Sequence, residues 1–178
     1  MRGRFILLPG FVLGISVAAL HGQSVTRETV PGVTNFARVE TTIACGGATT
    51  PAALAGLKKM GYASVINLRV ATEPGADIEA EAEAARAAGV NFVHLPFNPG
   101  SPDPMLVDNF LQAITAPGNQ PAFVHCASGN RAAALWMIKR IVVDKWDVDR
   151  AGTEAAALGM TSPAMKTFVM NSVQARKR

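Results

Sequence analysis

Cys126 and Arg131, separated by Ala127, Ser128, Gly129 and Asn130, are the residues whose types and spacing best suit covalent chemistry. They lie between an apolar run, Ala122-Phe123-Val124, and an alanine-rich segment carrying Leu135, Trp136, Ile138 and Ile141, a pattern of strand, tight loop and helix. The first-turn N–H groups of a helix have no intrahelical partner, so a loop entering a helix can turn several donors onto a tetrahedral anion. A cysteine on the floor of that loop would feel those donors, the helix dipole and Arg131. All three favour thiolate over thiol, which makes Cys126 a candidate nucleophile. Ala127, Ser128, Gly129, Asn130 and Arg131 are the candidate phosphate-binding residues. The planar fork of Arg131 can grip two oxygens and stabilise charge on them in the transition state. Gly129 fits a sharp turn whose N–H faces the anion. Taken singly, these residues also suit a core cysteine, a loop glycine and a solvated arginine; their conjunction favours the anion-binding thiolate.

The elements that must position this loop follow from periodicity and punctuation. Residues 37–45 suggest a first strand or a short two-strand element. Thr49 or Thr50 can cap a helix opened by Pro51, striped by Leu54, Leu57 and Met60 and stopped by Gly61. A buried strand over residues 62–68 is followed by a turn-rich loop to Gly75, a helix over 78–88 with acids in its first turns, and a third strand over 90–95. After the proline- and glycine-rich stretch 96–102, Asp103 can cap a helix reaching about Ala116. Two further helices are expected over 146–158 and 162–174. The alternation predicts an α/β fold, three layers with a central, mostly parallel sheet of four or five strands, and the motif loop at the carboxyl end of a central strand.

Residues 1–22 read as a signal peptide: Arg2 and Arg4 precede a mostly apolar stretch that ends in small residues and then polar ones. Export to the periplasm or beyond the cell is therefore expected, with no stable membrane association after cleavage. Residues 23–35 read as an irregular lead-in, 36–175 as one domain, and 176–178 as a basic, solvated tail. Removing Arg2 and Arg4 lowers the net charge from +4 to +2, because the leader contains no acid. That balance, with sparse and unclustered aromatic residues, speaks against a nucleic-acid partner. No His, Cys and carboxylate cluster has metal-ligand spacing, so neither metal nor other cofactor is expected.

His125-Cys126-(four residues)-Arg131 resembles the signature loop of cysteine-dependent phosphatases, which normally carries five residues between Cys and Arg; four is the spacing of rhodanese-type sulfurtransferases. The wider pattern favours the former. Residues 44–49, Leu54-Ala55-Gly56-Leu57-Lys58-Lys59-Met60-Gly61, Val65-Ile66-Asn67-Leu68-Arg69, Glu73 and His94-Leu95-Pro96-Phe97 resemble bacterial dual-specificity and tyrosine phosphatase-like domains. These are related to the phosphatase-like domain of beta-lactamase hydrolase-like proteins, and members carry the short loop. The similarity spans about residues 36–145.

The resemblance implies a phosphate monoesterase working through a cysteinyl-phosphate, with a phosphorylated protein or small phosphate ester as substrate. It implies a supporting role for His125, which could also favour the thiolate. It implies a leaving-group acid in the loop after the third strand, where this chain has Phe97-Asn98-Pro99-Gly100; Asp103 is the nearest carboxylate downstream, available either as acid or as helix cap. The serine or threonine that usually follows the loop arginine is replaced by Ala132. These departures keep open a sulfurtransferase, which would form a persulfide on Cys126, and a non-catalytic anion-binding module. Arg69 can extend the positive field near the anion, and Glu73 can hold Arg69 or Arg131 by a two-pronged pair; both equally suit solvated loop charges. Cys45, the other cysteine, can be a reversible disulfide partner for Cys126 in an oxidising compartment or a small buried hydrophobe.

Overall fold

The computed structural model describes residues 24–39 and 41–176. The expected leader at residues 1–22 lies outside the described residues, as do the last two residues of the basic tail. The elements are β1 (Val25–Arg27), β2 (Ala37–Val39), β3 (Ile43–Gly46), α1 (Ala53–Lys59), β4 (Ser64–Asn67), α2 (Ile78–Ala88), β5 (Asn91–His94), α3 (Leu106–Thr115), β6 (Ala122–His125), α4 (Asn130–Val142), α5 (Val148–Leu158) and α6 (Pro163–Ala175).

The sheet order is β1-β2-β3-β6-β4-β5. β3, β6, β4 and β5 run parallel, and β1 and β2 add an antiparallel edge. The expected two-strand element over 37–45 is the β2–β3 hairpin. Residues 25–27, inside the stretch expected to be irregular, pair with β2 through Val25 opposite Val39. That pairing makes the sheet six-stranded among the described residues, one more than the sequence suggested. β3, β4 and β6 are buried along their whole length, as expected of parallel strands covered on both faces.

Helices cover the two faces unequally. Leu54 and Leu57 of α1 and Ala85 of α2 pack with Phe36, Ala44, Tyr62, Val65 and Phe123 on one side. The larger core lies on the other, where Cys45, Ile66 and Val124 meet α3, α4, α5 and α6. Helix α4 is buried from Arg131 to Ile141, which explains its low polarity around most of its circumference.

Helix starts differ from expectation in two places. Neither Thr49 nor Thr50 caps α1 by its side chain: the N-cap is Ala52, and the Thr49 hydroxyl donates to the Gly47 carbonyl at 3.1 Å. The first turn is closed instead by backbone bonds from Ala53 to Thr50 and from Leu54 to Pro51. α3 begins at Leu106, and Asp103 caps the turn before it, its Oδ1 accepting from the Met105 N–H at 2.7 Å. Arg176, expected in a solvated tail, pairs with Asp108 at 2.5 Å.

Candidate active site

β6 is central, between β3 and β4, so its carboxyl end opens over the middle of the sheet edge. Cys126 follows it immediately and is 1% exposed. The chain then turns through Gly129, whose φ of +97° is a left-handed value that side chains rarely adopt, and enters α4 at Asn130. A Cβ at Gly129 would come no nearer than 3.7 Å to the Gly46 carbonyl oxygen, so the backbone angle rather than a clash requires glycine there. The turn aims the Gly129 N–H at Cys126 Sγ, 3.1 Å away.

The β3–α1 loop holds the outer rim. The Ala48 N–H donates to the Ala127 carbonyl at 3.0 Å, Asn35 Nδ2 donates to the Ser128 carbonyl at 3.2 Å, and Gly47 bridges Ser128. A Cβ on Gly47 would collide with the Thr34 hydroxyl and reach 3.0 Å from the Ala127 carbonyl, so this close approach also depends on glycine. With their carbonyls engaged outward, Ala127 and Ser128 are fixed on the rim.

Arg131 is buried, and its guanidinium grips Glu73 with two prongs, Nη1 to Oε1 at 2.6 Å and Nη2 to Oε2 at 2.8 Å. Nη1 also reaches the Phe97 carbonyl at 2.6 Å and the Leu68 carbonyl at 3.2 Å. Burial opposes the charge of Arg131, but Glu73 and then Cys126 favour it, and the net effect raises its pKa further above neutrality. Burial alone would raise the Glu73 carboxyl; Arg131, the Val70 N–H and Arg69 outweigh it and hold it down at about 2. Glu73 is therefore an ionised brace for the arginine at neutral pH. Of the two partners the sequence allowed it, Arg131 takes the two-pronged pair and Arg69 a single longer contact of 3.4 Å.

Arg69 is buried too, yet it serves its own loop, donating to the Gly75 carbonyl at 2.9 Å and the Pro74 carbonyl at 2.5 Å. These bonds give Arg69, expected to extend the positive field, a structural place in its own loop. His94 ties in the same place, its Nε2 lying 2.8 Å from the Arg69 carbonyl. Asn130, expected among the phosphate-binding residues, turns its side chain away: Oδ1 accepts from the Thr161 and Ser162 N–H groups, both at 2.8 Å, pinning the α5–α6 link to the loop. The Ser128 hydroxyl is exposed and accepts from Asn130 Nδ2 at 3.3 Å. Asp103 is exposed and engaged in its own turn.

His125 supports the loop from behind. It is fully buried, stacked on Phe123 with ring centroids 5.5 Å apart, and its Nε2 lies 2.6 Å from Glu81 Oε1, outside regular hydrogen-bond alignment. Glu81 Oε2 accepts from Asn67 Nδ2 at 2.8 Å, and Asn67 Oδ1 accepts from the Arg69 N–H at 2.7 Å. One buried carboxylate thus joins the ends of β6 and β4, which carry Cys126 and the carbonyl of Leu68. From the sequence, the early acids of α2 complement its dipole, and Glu81 carries a second role there. The available signal was Glu81's place three residues after Ile78 and four before Ala85, on the inward stripe of the helix.

Cys45 is a free, fully buried thiol, as is Cys126 at its 1% exposure. Burial, with smaller contributions from Cys126 and Glu154, pushes the Cys45 thiol well above the usual range, so it stays protonated. Cys45 pairs in register with Val124, two residues before Cys126. The two thiols are both free here, and a disulfide between them would need their Cβ atoms within about 4.5 Å.

A cysteine at a strand end, a glycine-turned loop entering a buried helix and an arginine braced by glutamate define a phosphatase-like α/β domain. Residues 35–143 match the family described as beta-lactamase hydrolase-like protein, phosphatase-like domain, and the chain belongs to it. No curated protein matches the chain. Among solved structures, the chain is similar to a Shewanella putrefaciens protein assigned as a candidate phosphatase, with a TM-score of 0.67, 20% identity, and coverage of 82% of this chain and 92% of that one. P. aeruginosa TpbA gives a TM-score of 0.64 at 21% identity, covering 82% and 88%, and has also been solved in complex with phosphotyrosine. The core catalytic domain of the S. cerevisiae PP-IP phosphatase Siw14, solved with citrate, gives 0.64 at 17% identity, covering 80% and 87%. At these identities the likeness speaks for the fold.

Proposed function

We propose that the protein is a cysteine-dependent phosphatase that hydrolyses a phosphorylated protein or small phosphate ester through a cysteinyl-phosphate, without metal or other cofactor. The observation that carries this reading is the Gly129 N–H aimed at Cys126 Sγ beside an arginine already braced by Glu73. Membership of a phosphatase-like family and likeness to TpbA and Siw14 support it. Arg131 and the loop amides hold the phosphoryl group while Cys126 attacks in line, and water then hydrolyses the intermediate.

The test is phosphate release from 4-nitrophenyl phosphate by reduced protein. Cys126→Ser should abolish it with the fold intact, since a neutral hydroxyl is a poor nucleophile. The four-residue loop favours one second reading, sulfur transfer. Thiocyanate formed from thiosulfate and cyanide in a Cys126-dependent way, with no phosphate release, would replace the first reading by the second. Sulfate or vanadate binding that Arg131→Ala weakens, with neither reaction observed, would leave an anion-binding module. Export rests on the leader pattern, and the N-terminal sequence of protein recovered from the periplasmic fraction tests it; a start at Met1 would count against cleavage.

A further inference from the structure

In the first step the leaving oxygen must either take a proton or depart as an anion, so the carboxyl groups around the loop decide which substrates can react. The stretch after β5, residues 96–102, contains no carboxyl group. Its root is fixed: Phe97 is fully buried, its carbonyl is taken by Arg131, and its ring lies 4.8 Å from that of Phe168. Its tip is folded on itself, with Asn98 Oδ1 accepting from the Gly100 N–H at 3.0 Å and the Asn98 carbonyl from the Ser101 N–H at 3.2 Å. Asp103 comes next and is tied twice to its own turn, by Oδ1 to the Met105 N–H and by its carbonyl to the Leu106 N–H at 3.0 Å. Glu73 has both oxygens on Arg131, and Glu81 lies behind the sheet end on Asn67 and His125.

We propose that the site selects phosphoryl groups whose leaving oxygen is stable as an anion: phosphoanhydrides first, acidic aryl esters next, and alkyl esters of the phosphoserine type not at all. This rests on the phosphatase reading above. As the Cys126 Sγ–P bond forms, the bridging P–O bond breaks and its electron pair stays on the leaving oxygen, which departs unprotonated. In the second step water attacks phosphorus, the S–P pair returns to sulfur as thiolate, and the water's excess proton passes to solvent. Without a carboxylate base this second step is slow, so the phosphocysteine accumulates when the first step is fast.

The experiment measures kcat/KM of the full reduced chain on acetyl phosphate, inorganic diphosphate, 2,4-dinitrophenyl phosphate, 4-nitrophenyl phosphate, phenyl phosphate and O-phosphoserine. A positioned acid is worth about 10²–10⁴-fold, and at least that factor should separate O-phosphoserine from dinitrophenyl and acetyl phosphate. A burst of dinitrophenolate near one equivalent per site should precede the steady state. Asp103→Asn should leave the ratio between substrates as it is. Rates on O-phosphoserine and dinitrophenyl phosphate within about tenfold of one another, or a loss in Asp103→Asn confined to phenyl phosphate and O-phosphoserine, would overturn the proposal while the phosphatase reading stands. No phosphate from even dinitrophenyl phosphate would remove that reading and the proposal together.

Discussion

Helix α4 carries a buried arginine–glutamate pair near each end, and only one of them belongs to a candidate active site. Arg140 donates to Glu154 at 2.7 and 3.1 Å and to Asp144 at 3.0 Å, with its guanidinium 4.6 Å from the Trp136 ring centroid and 4.1 Å from that of Trp146. Trp136 Nε1 donates to the same Glu154 oxygen at 2.7 Å. Arg131 has a comparable carboxylate grip, yet its remaining partners are the loop carbonyls of Leu68 and Phe97, and Cys126 is among the groups that favour its charge. Burial and pairing of an arginine therefore mark nothing by themselves. The difference lies in what the arginine borders: packed aromatic rings at one end, a candidate nucleophile and backbone carbonyls at the other.

Substitution at the two ends should split activity from stability. Arg131→Lys keeps the charge and loses the two-pronged grip, and kcat/KM should fall by about 10²–10³-fold. Arg140→Met should leave the rate per folded molecule unchanged while destabilising the fold by about 3–5 kcal/mol, because Glu154 stays buried with the Trp136 N–H but without its arginine. Denaturant unfolding beside the phosphate assay reads both; a large rate loss in the second variant would erase the distinction.

A smaller effect is expected behind the loop. Glu81→Ala removes the acceptor of Asn67 Nδ2 and the group beside His125, and a displaced strand end should lower kcat by up to about a hundredfold with little change in KM. A stability loss with kcat intact would make Glu81 only a packing residue. Smaller still is the acid response of the Arg131 brace. The Glu73 carboxyl is lower in the folded state, about 2, than its ordinary value of 4.5, so its contribution is fully present above about pH 4.5 and is lost as pH falls toward 2. Glu73→Gln should flatten that part of the stability profile, and an unchanged profile would place the acid sensitivity elsewhere.

The motif end of α4 was largely legible because its information is local: strand, cysteine, glycine, helix start and arginine lie within one short run, and turn chemistry does not depend on distant partners. Glu73's grip on Arg131 was legible only as an alternative, since 58 residues separate the two. Glu81's inward place was legible from its spacing to Ile78 and Ala85, but not that α2 lays that face over the ends of β4 and β6. The Asn130 side chain's place was not legible for the same reason, since it is claimed by backbone donors 31 and 32 residues away. The first strand was missed because three residues carry too little pattern, and their pairing with β2 supplies the order. Thr49 misled because the loop it closes against Gly47 competes with capping for the same hydroxyl.

The central claim is the covalent step at Cys126. Reduced protein mixed with dinitrophenyl phosphate, quenched in acid during the burst and digested, should yield the peptide containing Cys126 with the mass of one added phosphoryl group. The same peptide from Cys126→Ser, or from protein treated with inorganic phosphate alone, should lack it. Turnover with no phosphoryl group on Cys126 at any quench time, or a phosphoryl group found on another residue, would contradict the account.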